Sequence, residues 1–176
     1  MIMRRGQALL LPANPLFVWG SLGAALLLVM LVHIGLAGRA PWMPDLLALT
    51  LVFWSVHQPR RVGVGAGFLL GLLVDVHHGA LLGQHSLAYT VLAYIAIVIH
   101  RRLLWFDLGR QALHVLPLFV ASHALQLATR LLAGHGWPGW GLTAAPLLEA
   151  LLWPVATLLL LAPQRRAHDP DETRPL

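Results

Sequence analysis

Arg60-Arg61-Val62-Gly63-Val64-Gly65-Ala66-Gly67-Phe68-Leu69-Leu70-Gly71-Leu72-Leu73-Val74-Asp75-Val76-His77-His78-Gly79 is the stretch that decides how this chain is built. An apolar run opens directly after two arginines, carries four glycines, and holds one acidic residue near its far end. Runs of this kind recur along all 176 residues, of which 58% are hydrophobic and only 11% charged. A soluble domain needs about 25% charged residues to solvate its surface, so the solvent implied here is lipid. There is no lysine, and the arginines sit in small clusters between apolar runs. That arrangement is a membrane topology signal. It excludes nucleic acid as a partner despite a pI near 11.3, because no basic face or tail forms. The absence of cysteine excludes disulfides, thiolate nucleophiles and thiolate metal sites.

Outward from this stretch, six apolar runs predict an all-α integral membrane protein of about six transmembrane helices. They cover about Leu16 to Ala37, Asp45 to His57, Val62 to Val76, His85 to Ile99, Gln111 to Ala133 and Leu142 to Ala162. Residues 1–15 and 163–176 then flank a transmembrane domain at 16–162, the tail being polar and expected to be disordered. The first run is too long for a signal-peptide core of about 7–15 residues. Proline at position 41 also disfavours cleavage after Ala40, so the run is read as a retained span. The second run, at ~1.5 Å per residue, reaches only about 20 Å of a core about 30 Å thick. It must start or finish inside the protein, or the bilayer must thin. Four spans with two buried re-entrant hairpins form the structural alternative. Ten arginines, among them Arg4, Arg5, Arg60, Arg61, Arg101, Arg102, Arg165 and Arg166, fall on one side; only Arg39 and Arg130 fall opposite. The positive-inside rule places both termini in the cytoplasm. Trp42, Trp137 and Trp140 would mark the outer interface, and Trp19, Trp54 and Trp105 the inner one.

Four polar residues on different runs land in one layer. Asp75, Asp45, Glu149 and His85 each lie roughly 21–24 Å from an arginine cluster, counting ~1.5 Å per residue. A carboxylate at such depth costs at least ~2.5–3.5 kcal/mol unless it meets a partner or water. The expectation is a polar layer opening outward as a shallow cavity. Against it stand helix capping by Asp45 and His85 and plain hydrogen bonding inside the bundle for Asp75 and Glu149. Gly63, Gly67 and Gly71 share one helical face and should let another helix approach closely. Tyr89 and Tyr94 are further candidates for helix docking. The Arg60-Arg61 and Arg101-Arg102 loops could meet anionic lipid or an acidic partner, besides setting topology. Gly63-x-Gly65 lacks the strand and third glycine of a dinucleotide loop. His77, His78, His85 and Asp75 could ligate a metal, but adjacent histidines diverge on a helix, and no metal or other cofactor is expected. Asp45 and Asp75 could form an aspartyl-peptidase pair only if they face each other. No catalytic motif occurs elsewhere, so no enzyme activity is expected.

Read in order, several segments resemble the MreD family of bacterial rod shape-determining membrane proteins. They include Leu9-Leu10-Leu11-Pro12-Ala13-Asn14-Pro15, Pro44-Asp45-Leu46, and Phe53-Trp54-Ser55-Val56-His57-Gln58-Pro59-Arg60-Arg61. The most specific are Gly67-Phe68-Leu69-Leu70-Gly71-Leu72-Leu73-Val74-Asp75-Val76 and Leu82-Gly83-Gln84-His85-Ser86-Leu87-Ala88-Tyr89. The resemblance implies a non-enzymatic scaffold of the cell-elongation complex in the bacterial inner membrane, organising lateral-wall peptidoglycan synthesis. Its partners would be membrane lipids, a bitopic MreC-type protein, an MreB-type actin homologue, a RodA-type glycosyltransferase and a class B penicillin-binding protein, and it allows a homo-oligomer. The implied fold is similar to the substrate-binding subunits of energy-coupling-factor transporters. In the family-like core, Gly71, Asp75 and Gly83 match the motif without an implied catalytic role. The competing reading is a small-molecule-binding transporter subunit with an outward-facing polar cavity.

Overall fold

The computed structural model describes residues 14–34 and 42–164. The segment before Asn14, the linker at 35–41 and the tail from 165 lie outside the described residues, and so do the expectations that fall on them. Those are Leu9 to Ala13 of the family-like start, the Arg39 exception, the cleavage-site reading and the disordered tail. Within the described residues the chain is all-helical: α1 (Pro15–Ile34), α2 (Leu46–His57), α3 (Val64–His78), α4 (Gln84–Leu103), α5 (Leu108–Leu132) and α6 (Ala144–Leu161). Short 3-10 turns at Trp140–Thr143 and Ala162–Gln164 extend α6 at both ends. Four of these segments are long and apolar enough to cross a membrane: α1, α4, α5 and the continuous stretch through α6. The other two, α2 and α3, are apolar but have only 12 and 15 residues.

Local chemistry sets the boundaries. Asn14 opens α1 by accepting the Leu16 amide (3.0 Å), with Pro15 in the first helical position, where a missing N–H costs nothing. Asp45 caps α2, its Oδ1 accepting the amides of Leu47 (3.1 Å) and Ala48 (3.0 Å). Gly79 ends α3 in the left-handed region at φ +59°, and the Ala80 amide reaches back to the Asp75 carbonyl at 3.0 Å, a Schellman turn. The helices then extend beyond the apolar runs. The α4 helix continues through His100, Arg101 and Arg102 to Leu103, since arginine is a good helix former and suits a helix C-terminus.

Packing explains the short second helix. Nine of its twelve residues are buried, from Leu47 through Val56, so it has no stripe left for lipid. A helix apolar all round belongs in an interior, and α2 lies against α1, α4 and α6. Phe53 and Trp54 meet edge to face at 4.9 Å between ring centres, with Trp153 behind them. Trp54 is fully buried, and its Nε1 donates to Ser21 Oγ at 2.8 Å. The expectation of Trp54 as an interface anchor is thereby corrected: its N–H finds its partner in α1 instead of at the headgroups. Trp42, Trp137 and Trp140 are exposed at one end of the bundle, and Trp105 at the other.

The tightest contact is between α3 and α4. A Cβ at Gly71 would stand 2.4 Å from Ser86 Cα, and one at Gly67 would stand 2.7 Å from the Tyr89 carbonyl oxygen. The small-residue face is therefore consumed inside the chain. Gly63 takes no part in it, because it starts α3 with open space around it. Odd-numbered helices end, and α2 and α4 begin, at the same end of the bundle, where a cavity opens.

Candidate functional site

A short α2 (about 18 Å) beside a full-length α4 (about 30 Å) leaves room at its N-terminal end. The room is filled partly by polar side chains and partly by a cavity of about 580 Å³. Two hydrogen-bonded networks form its base.

The first is built on Asp75 of α3. Gly83 begins α4 at φ +104° with no side chain to cap it. Asp75 supplies the cap from the neighbouring helix. Its Oδ2 accepts the amides of Gly83 (2.9 Å) and Ser86 (3.2 Å), and its Oδ1 accepts the amide (2.8 Å) and Nδ1 (2.7 Å) of His85. Ser86 Oγ completes the junction by donating to the Phe68 carbonyl at 3.1 Å. Gly71, Asp75 and Gly83 thus act as one device. The first lets the backbones meet, the second caps, and the third supplies the left-handed turn.

The second network joins α2, α4, α5 and α6. Tyr89 donates its hydroxyl to Asp45 Oδ2. The Asp45 amide donates to Glu149 Oε1 at 2.8 Å, and His123 Nε2 lies 3.4 Å from the same oxygen. His123 Nδ1 sits 3.0 Å from the Phe119 carbonyl, which only accepts, so Nδ1 is a donor here. Glu149 is fully buried, and its Oε2 has no hydrogen-bond partner.

These contacts place every residue singled out from the sequence. Asp45, Asp75, His85 and Glu149 do converge on one end of the bundle, as their depths predict. Yet the two aspartates are committed to separate helix starts, Asp45 to α2 and Asp75 to α4. The facing pair required by the peptidase reading does not form. Tyr89 is fully buried and is unavailable for docking, because its ring packs under His85 and its hydroxyl serves Asp45; Tyr94 remains exposed. Gly67 and Gly71 are likewise unavailable to a partner.

Above these networks the cavity wall holds residues that the depth argument missed. His33 of α1 stacks on His78 at 3.9 Å between ring centres, and His78 meets His85 edge to face at 5.4 Å. On the far wall stand His123, Gln126 and Arg130 of α5, with His135 just beyond. The remaining lining includes Gln84 at the start of α4 and an apolar part from Leu28, Val29 and Val32 of α1 and Leu127 of α5. One signal was available: Arg130 is one of only two arginines on the sparsely charged side. Among the described residues, no group of three histidine, aspartate or glutamate side chains is arranged to hold a metal ion.

Comparison with known proteins gives two matches and one absence. Residues 13–161 match the family model for the rod shape-determining protein MreD. The rod shape-determining protein MreD of Haemophilus influenzae is 28% identical, over 72% of this chain and 83% of that protein. No solved structure matches.

Proposed function

Because the chain belongs to the MreD family of rod shape-determining proteins, we propose that it is a non-enzymatic scaffold of the bacterial cell-elongation complex. The observation that carries this reading is the family match, which runs from the residue before Asn14 to the last residue of α6. In this reading it lies in the inner membrane, crosses six times with both termini in the cytoplasm, and helps organise lateral-wall peptidoglycan synthesis. Alternation of helix ends around the cavity and the exposed Arg60-Arg61 turn at the opposite end favour six crossings over re-entrant hairpins. The short α2 is covered by neighbouring helices, so it need not match the hydrocarbon thickness alone, whereas α3 packs one face on α4 and leaves Leu69, Leu73 and Val76 exposed.

Recognition of a bitopic MreC-type partner would fall on the lipid-facing helix surfaces, since connections between helices are short and Gly67 and Gly71 are already occupied. On α1 such a surface runs along Leu16, Trp19, Leu27 and Leu31. The MreB-, RodA- and penicillin-binding-type partners would join through the same complex. A rod-shaped bacterium depleted of its own homologue provides the test. Expression of this chain should restore rods and recover the bitopic partner in a membrane pull-down. Round cells with normal levels of the inserted protein would count against the reading.

A further inference from the structure

We propose that the cavity above α2 is a binding site for a phosphate monoester, with Arg130, Gln126 and His78 as its donors. This goes beyond the scaffold reading and stands without it. Size is the first argument: about 580 Å³ exceeds what a lone inorganic ion fills and falls in the range of small-molecule sites, about 300–1,000 Å³.

The sign of the ligand follows from which polar atoms are spent. The cavity's own carboxylate, Asp45, has both oxygens engaged, one by two backbone amides and one by Tyr89. The donors are not spent. Among the described residues the Arg130 side chain makes one hydrogen bond, from Nε to the Gly136 carbonyl at 3.2 Å, and no carboxylate pairs with it. Its two terminal amino groups keep the fork geometry that suits an oxyanion. Gln126 Nε2 and His78 Nε2 are both shielded from solvent and have no hydrogen-bond partner. Unpaired buried polar atoms are uncommon because each forfeits its hydration, and two on one cavity point to an absent partner. The three oxygens of a phosphate monoester match three donors, where a carboxylate offers two. The cavity's other wall, Leu28, Val29 and Val32, suits an apolar portion. The headgroup of a phosphatidic acid and a soluble organophosphate monoester share this chemistry.

The full chain, purified in an uncharged detergent, is titrated with dioleoylphosphatidic acid, with dioleoylglycerol, and with glycerol 3-phosphate, reading adducts by native mass spectrometry and melting temperature. Phosphatidic acid should bind at least tenfold more weakly to Arg130→Gln and to Gln126→Leu than to the unaltered chain. Arg130→Lys should keep part of the affinity, and Arg101→Gln, at the other end of the bundle, all of it. Competition by glycerol 3-phosphate would identify a soluble ligand, and its failure to compete a lipid. Equal binding by the unaltered chain and both cavity variants, or equal binding of dioleoylglycerol, would overturn the proposal. Neither result bears on the rod-shape test above.

Discussion

Asp75 holds four donors from one turn of a neighbouring helix, and it does so with no exposure to solvent. Removing the carboxylate strands three amides and an imidazole in the interior, so Asp75→Ala should lower stability by about 3–5 kcal/mol. Asp75→Asn keeps the shape but offers one acceptor oxygen for four donors, and should fall between. Thermal unfolding of the detergent-solubilised chain would rank the three. The glycines of α3 split on the same scale. Gly71→Ala drives a methyl into Ser86 Cα, a backbone atom that cannot step aside, and should cost at least the ~1–3 kcal/mol typical of overpacking. Gly65→Ala meets nothing and should stabilise by about 0.5–1 kcal/mol through helix propensity. Similar melting points for the two variants would contradict the packing described. From sequence, Gly63, Gly67 and Gly71 look equivalent, because helical spacing fixes a shared face but not where along it the neighbour crosses. The partners of Asp75 were likewise hidden, since they depend on the turn geometry at Gly79 and Gly83.

At the scale of elements, α2 shows what was legible and what was not. Its start was readable, because aspartate before an apolar run is a cap, and its shortness was readable from the distance between Pro44 and Pro59. Its central position was not: a run apolar on every side is compatible with lipid on every side. Only Ser21 and Glu149, on distant parts of the chain, reveal that α2 is enclosed. The start of this helix can be tested as a unit. Asp45→Ala loses a cap worth about 1 kcal/mol and leaves the buried Tyr89 hydroxyl without an acceptor, a further ~1–3 kcal/mol. Adding Tyr89→Phe to Asp45→Ala should recover part of that loss, and a double-mutant cycle measures the coupling. Strict additivity would mean that the hydroxyl and the carboxylate do not interact.

For the whole molecule, the absence of native cysteine makes sidedness directly measurable. Single cysteines replacing Arg60 and His135, both exposed and at opposite ends, should react with an impermeant thiol reagent from opposite faces of the membrane. Labelling of both from one face would remove the odd number of crossings between them. The depth layer predicted a polar end to the bundle and found it. The cavity itself depends on α2 being shorter than its neighbours, which hydropathy registers only as a gap.

The hydrogen bond from the Asp45 amide to Glu149 spans 104 positions of chain. During synthesis at about 5–20 residues per second, α2 enters the bilayer roughly 5–20 s before the residue that completes its start exists. Through that interval α2 has no finished enclosure, and its first turn lacks one of its acceptors. Biogenesis therefore has an order built into it. A nascent chain released before position 149 leaves the Asp45 amide without this acceptor, so the last helix completes the start of the second.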